Sequence, residues 1–263
     1  MHCAMAADPQ PPAAGETTFD PVLGGRLELQ QPVRGHRVGH DTLLLAAFAP
    51  AAEEAVDLGA GVGGAGLAFL VRHPQARATL VEIDPALAAL AAANAVRNGL
   101  SGRCRVVAAD VATLGRRAGP AEPAPGVAGL VLTNPPFNLA GAHQPSPHGA
   151  RSRAHMAGPE LLEAWVKAAS RCLAPHGLLC MILRPQDLGA LLAAFAGRFG
   201  AAELLPVHPR AGADAVRLLV RAVKGRRTAP VIRPGLILAA ADGTPTPLAE
   251  AVLRGAGALD PRD

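Results

Sequence analysis

The run Asp57-Leu58-Gly59-Ala60-Gly61-Val62-Gly63-Gly64 follows the short apolar stretch Ala55–Leu58 and opens the helical pattern Gly64–Arg72. A buried strand that ends in a glycine turn and feeds a helix is the opening of a βαβ unit. The alternation then continues. Ala78–Ile83 predicts a strand, and Pro85–Arg97 a helix with Leu87, Leu90, Ala91 and Asn94 on one face. Arg103–Ala109 and Val127–Leu132 predict two more strands, Glu160–Leu173 a helix and Gly177–Leu183 a strand. Gln186–Phe199 reads as a helix, and Glu203–Val207 with Ala215–Ala222 as a closing pair of strands. Strands alternating with helices predict an α/β fold with a doubly wound parallel sheet. Ligands of such sheets bind beyond the carboxyl ends of the strands.

Four segments are distinguished by position. Residues 1–18 read as a disordered tail, and 19–50 as a hairpin around Gly24-Gly25 and a helix (Asp41–Phe48) packed on the core. Residues 51–227 form the core, and 228–263 a short extension: a strand, an Asp242-Gly243 turn and a short helix. Hydrophobic residues make up 50% of the chain and charged ones 17%, enough apolar surface for a large core. Aromatics are 3%, with no Tyr, which argues against a stacking platform for single-stranded nucleic acid. A net charge of +4, mostly from Arg, suits a phosphate-bearing partner. No apolar stretch has transmembrane length, and residues 1–16 lack the pattern of a secretory signal. Cys3, Cys104, Cys172 and Cys180 form no C-x-x-C pair, so neither zinc nor a disulfide framework is expected, and a cytoplasmic location fits.

Chemistry-bearing residues fall at four successive strand ends. Gly59, Gly61 and Gly63 let backbone approach a ligand. Gly59, Gly61 and Gly64 also satisfy G-x-G-x-x-G, so a dinucleotide site competes. Asp57 separates the two: its carboxylate repels a pyrophosphate and attracts an ammonium such as that of S-adenosylmethionine. Glu82, 25 residues on, ends the next strand, where an acid accepts from both ribose hydroxyls of a nucleoside. Asp84, directly before Pro85, reads as the helix cap instead. Asp110, a further 28 residues on, offers an acceptor to an adenine amino group, with Val111 against the ring; a cap is the competing role. Asn134-Pro135-Pro136-Phe137 ends the fourth strand, 24 residues beyond Asp110. Two prolines stiffen this turn. The Asn134 side-chain oxygen and the Pro135 carbonyl then present two acceptors to an –NH₂ group, and Phe137 a face for a planar ring. Holding both N–H bonds of an exocyclic amine aims its lone pair at a methyl donor.

Together D-L-G-A-G-V-G, Glu82, Asp110 and N-P-P-F resemble class I S-adenosylmethionine-dependent methyltransferases that modify exocyclic or amide nitrogens. GGRLELQQPVRGHRVGHDTLLLAAF, VEIDPALAALAAANAVRNGL and the stretch from Asn134 to Arg153 further resemble the bacterial tRNA(Val) adenine-N6 methyltransferase family, over roughly residues 20–255. The resemblance implies a Rossmann-like, mostly parallel sheet with an antiparallel C-terminal strand. It implies S-adenosyl-L-methionine as donor, held by His40, Asp57, Gly59, Gly61, Gly63, Glu82, Ile83, Asp110, Val111 and Asn134, and an amine held by Asn134, Pro135, Pro136 and Phe137. It implies an RNA substrate, a tRNA before others, with no membrane, no obligate protein partner and no metal. Asp41 either closes with His40 over the methionine end of the donor or caps the helix it opens, and the cap is the favoured role. Polar residues 141–153 follow the N-P-P-F turn, and Arg151 and Arg153 there, with Arg226 and Arg227 later, are candidates for RNA phosphates or a solvated surface. His143 and His148 have no third ligand in view. Guanine-N2 methylation of rRNA and amide methylation of a protein glutamine remain alternatives. DNA adenine methylation and the glutamine reaction are disfavoured by the absence of a recognition domain. An NAD-dependent oxidoreductase is opposed by Asp57, and a non-catalytic RNA-binding module leaves N-P-P-F unexplained.

Overall fold

The Gly24-Gly25 pair takes positive φ and turns the chain back on itself. In the computed structural model, which describes residues 16–34, 37–116, 123–136 and 158–260, this closes an antiparallel hairpin of β1 (Thr17–Val22) and β2 (Leu27–Pro32). Leu27, Leu29 and Gln31 alternate inward along β2. Helix α1 (His40–Phe48) follows and is buried from Thr42 to Phe48, as its apolar sequence requires.

The core then alternates β3 (Glu54–Leu58), α2 (Gly64–Arg72), β4 (Arg77–Glu82), α3 (Pro85–Arg97), β5 (Cys104–Ala108) and β6 (Ala128–Thr133). It continues with α4 (Gly158–Cys172), β7 (Leu173–Leu183), α5 (Leu188–Phe195), β8 (Phe199–Arg210) and β9 (Arg217–Lys224). The sheet order is β5-β4-β3-β6-β7-β9-β8. Strands β3 to β7 are parallel, and β9 runs antiparallel between β7 and β8. The order runs one way from β3 to β5 and the other way from β6 on, so the crevice of a doubly wound sheet lies between β3 and β6.

Both faces of the sheet are covered. Leu130, Leu132, Cys180 and Ile182 pack with α1, α2 and α3 on one side. Their neighbours Val131, Leu179 and Met181 pack with α4 and α5 on the other. That is why the strands read as continuous apolar runs. On α3 the buried positions are Ala88, Ala91, Asn94 and Ala95, while Leu87 and Leu90 stay half-buried. The close-packed face is the small one, set by how near the helix sits to the sheet and not by residue size. The expected helix over 186–199 is shorter: a 3₁₀ turn at Pro185–Asp187 precedes α5, which ends at Phe195. Gly197, at φ 72°, turns the chain out of the helix, and Phe199 already belongs to β8.

The C-terminal residues extend the sheet with two short strands in place of one. Strands β10 (Val231–Ile232) and β11 (Leu236–Ala239) both pair in parallel with β8, and α6 (Pro247–Leu253) follows. An ion network joins this segment to the sheet. Glu203 on β8 accepts from Arg221 Nε at 3.0 Å and Nη2 at 2.9 Å, and from Arg233 just beyond β10. Burial acts to raise the Glu203 carboxyl, but the hydrogen bonds from Arg233 and Arg221 outweigh it and hold the group below its ordinary value. Among the described residues no helix is long and apolar enough to cross a membrane.

Glu203→Ala leaves the Arg221 guanidinium buried without its main counter-ion. It should destabilise the protein by about 2–4 kcal/mol. The measurement is urea denaturation: the midpoint falls while the slope stays constant. An unchanged midpoint would mean that solvent replaces Glu203 without penalty.

Candidate active site

Strand register brings the four sequence motifs to one edge. Leu58 lies opposite Val81 on one side and Thr133 on the other, and Glu82 opposite Ala108. Gly59, Ile83, Ala109-Asp110 and Asn134 therefore emerge together at the carboxyl edge, astride the crevice. The start of α1 reaches the same edge. A Cβ on Gly64 would sit 2.5 Å from Val38 Cγ2 and 2.9 Å from Thr42 Cγ2, so the first turns of α1 and α2 abut, with His40 exposed beside them.

The glycine loop is held by its own backbone. Gly59 and Ala60 both donate to the Val81 carbonyl at 2.9 Å, Gly61 donates to Glu82 Oε2 at 2.8 Å, and Gly63 to the Ala60 carbonyl at 2.9 Å. The three glycines do different work. At Gly59 the Trp165 indole of α4 occupies the space of a Cβ, within 2.3 Å. At Gly63 a Cβ would meet Leu67 and Leu80 at 3.0 Å. At Gly61 it would meet nothing within 4 Å. Gly61 is thus the position where the loop is bare toward open space.

Asp57 is 2% exposed, and its Oδ2 accepts from the Gly66 amide at 2.8 Å in the first turn of α2. Burial pushes its carboxyl up to about 7; the Gly66 bond opposes the rise and the neighbouring Glu82 charge adds to it. Glu82 is also buried. Its Oε2 serves Gly61 and its Oε1 accepts from the Asp84 amide at 2.9 Å. A carboxylate has about four acceptor positions, so capacity remains for a ligand's hydroxyls. Asp84 caps α3 through the Ala86 amide at 2.9 Å, the role its place before Pro85 suggests. Asp110 accepts from the Ala112 amide at 2.9 Å, capping a short turn whose first residue, Val111, is buried. Asp41 does not cap α1, whose N-cap is Gly39. Arg217, at the start of β9, reaches the same edge and takes the Asp41 carboxylate in a 2.6 Å ion pair.

At the end of β6, the Thr133 hydroxyl donates to the Leu58 carbonyl at 3.0 Å and ties this strand to β3. Beyond it Pro135 is buried, and Asn134 and Pro136 are half-buried. Phe137, His143, His148, Arg151 and Arg153 lie outside the described residues. Arg226 and Arg227 are exposed but are not brought to this edge. Strand β9 starts level with the end of β7, Leu218 opposite Leu183, and finishes level with its middle, Val223 opposite Leu178. Residues after Lys224 leave at the amino edge.

Two residues enter the site that motif reading passed over. One is Trp165, against Gly59. The other is Asn94, fully buried in α3, whose Nδ2 donates to the Val62 carbonyl of the loop at 3.0 Å. Its signal in the sequence was a poor helix former on the inward face of an alanine-rich helix.

A sheet reversing between β3 and β6, with a glycine loop and acids at successive strand ends, defines the class I methyltransferase fold. Residues 39–205 match the methyltransferase small domain, and the chain belongs to that family. It is 33% identical over 170 residues to a Porphyromonas gingivalis protein named tRNA1(Val) (adenine(37)-N6)-methyltransferase, covering 62% of this chain and 64% of that one. A Serratia proteamaculans protein of the same name is 30% identical over 191 residues, covering 70% of this chain and 69% of the other. The match thus spans just under two thirds of the P. gingivalis relative's length. A crystal structure from Agrobacterium tumefaciens, described as a predicted O-methyltransferase, superposes with a TM-score of 0.69 at 31% identity, over 83% of this chain and 98% of that one.

Because the folded-state pKa of Asp57 lies above its unfolded value, this group removes stability as pH rises from about 4 to about 7. Asp57→Asn keeps an oxygen for Gly66 and loses the charge. Its stability relative to wild type should rise between pH 5 and pH 8, on the order of 2–3 kcal/mol in urea-denaturation free energy. A difference independent of pH would show that Asp57 ionises normally.

Proposed function

We propose that the chain transfers a methyl group from S-adenosylmethionine to the N6 amine of an adenine in tRNA. The observation that carries this reading is the position of Asn134-Pro135-Pro136 at the carboxyl edge of β6, one strand from the glycine loop and astride the crevice. The residues present fit the donor. Glu82 has acceptor capacity for the ribose hydroxyls, and Asp110 with buried Val111 offers a seat for the adenine. Asp57 lies buried at the foot of the glycine loop, where an approaching cationic methionine end would favour its ionised form.

The donor supplies an electrophilic methyl group; the chain supplies aim. The Asn134 oxygen and the Pro135 carbonyl accept the two N–H bonds of the target amine, and Phe137 stacks on its ring. This biases the delocalised nitrogen toward tetrahedral geometry and turns its lone pair to the methyl. The proton leaves after attack, so no strong base is needed. Two adjacent acceptors match an –NH₂ group better than a hydroxyl, which has one proton to give. That favours nitrogen over the oxygen acceptor suggested by the A. tumefaciens protein's description. The names of the P. gingivalis and S. proteamaculans relatives support adenine in tRNA. Arg226 and Arg227, at the opposite edge, would meet only RNA distant from the target base.

Labelled methyl transfer to unmodified tRNA, followed by nucleoside mass spectrometry, should yield N6-methyladenosine. Label in N2-methylguanosine, in protein or in a small hydroxyl compound would overturn the assignment. In single turnovers at saturating donor, Asn134→Ala should react about 10²–10³ more slowly, and Phe137→Ala should also raise KM for RNA. A wild-type rate for Asn134→Ala would remove the basis for amine methylation.

A further inference from the structure

Among the described residues the outer edge of β2 pairs with no third strand; Asn94 of α3 and Asn98, which caps its C-terminus, take that place. Asn98 Oδ1 accepts from the Glu28 amide at 2.9 Å, and its Nδ2 donates to the Glu28 carbonyl at 2.8 Å. One turn earlier, Asn94 Oδ1 accepts from the Gln30 amide at 2.8 Å, and its Nδ2 donates to the Gln30 carbonyl at 3.1 Å. A side-chain amide carries the same donor and acceptor as a peptide, and residues four apart share a helix face. The pair therefore reads alternate residues of the strand as a neighbouring strand would.

The two differ in where a third bond goes: Asn98 Nδ2 donates to the Asn94 carbonyl at 2.8 Å, within its own helix, and Asn94 Nδ2 to the Val62 carbonyl of the loop. The peptide joining Val62 to Gly63 is thereby held at both ends, its oxygen by Asn94 and its N–H by the Ala60 carbonyl. This peptide needs holding. Gly63 sits at φ 91°, where Leu67, Leu80 and Ala91 leave no room for a side chain. A glycine is the residue that fits, and also the one whose flanking peptides rotate most freely. Asn94 opposes that freedom, and it is itself anchored by the hairpin.

We infer that Asn94 is a positioning residue for the methyl donor: it fixes the Val62–Gly63 peptide, and through it the Gly59–Gly63 loop, so the N-terminal hairpin acts as part of the donor site. The inference rests on the reading of this loop as the donor site. Asn94→Ala should raise the Kd and KM for S-adenosylmethionine about tenfold, since a buried carbonyl loses its partner, while kcat at saturating donor stays close to wild type. Asn98→Ala loses the matching hairpin bonds but no loop contact. Its bonds being the exposed ones, it should lower Tm by less than Asn94→Ala does, and leave donor Kd unchanged. Hydrogen exchange of the peptide covering residues 59–63, without donor, should quicken in Asn94→Ala and not in Asn98→Ala. If Asn94→Ala does not fold, Asn94→Ser, too short to span Gln30 and Val62 together, carries the comparison. Equal donor affinity in Asn94→Ala and wild type, an equal loss in both variants, or unchanged loop exchange would overturn the inference. Quickened exchange in a protein whose wild type binds no donor would leave Asn94 as the loop's holder and instead sink the donor reading.

Discussion

A loop of glycines has no side chains with which to fix itself, and here two buried carboxylates do the fixing. Glu82 reaches from the end of β4 to the Gly61 amide, and Asp57 from the end of β3 to the Gly66 amide. The Gly59 and Ala60 amides close on the Val81 carbonyl and the Gly63 amide on the Ala60 carbonyl. The parallel pairing of β3 with β4 makes this possible: Asp57 lies opposite Leu80, so Glu82 stands two residues nearer the carboxyl edge, level with the start of the loop. Remove that register and neither the loop nor the crevice beside it has a defined shape.

The arrangement carries an electrostatic tension. Two carboxyl groups lie close together out of water. Burial above all, with the Glu82 charge adding to it, pushes the Asp57 carboxyl up to about 7. A bound cation would relieve it. Elsewhere the chain avoids the problem: Glu203 is buried with two guanidinium partners and is held below its ordinary value.

Much of this was legible in the residues because local rules and tertiary packing agree. The bounds of α2 and α3 follow from Gly63-Gly64 and from Asp84-Pro85, and the strand ends carrying Asp57, Glu82 and Asn134 follow from where apolar runs meet glycine or proline. What failed depended on distance in sequence. Asp41 looks like a cap until Arg217, 176 residues away, arrives at its side. That Arg226 and Arg227, candidates for RNA phosphates or a solvated surface, leave at the edge opposite the glycine loop follows only from the reversal of β9. The glycines looked alike, yet a single helix, α4, claims Gly59 for packing, and nothing in the motif itself marks Gly61 as the open one. On α3, large residues suggested the buried face, while close approach selected alanines and one asparagine.

Trp165 has an optical consequence. It is the chain's one tryptophan, and there is no tyrosine to share the excitation. Its indole is 8% exposed and rests on the backbone of Gly59. Excited near the red edge of protein absorption, the molecule emits from a single point, and that point touches the glycine loop. Nearby peptide groups and water quench indole emission over short distances, so a small displacement of the loop changes its intensity and wavelength. The protein carries its own unlabelled fluorophore at the place where occupancy matters.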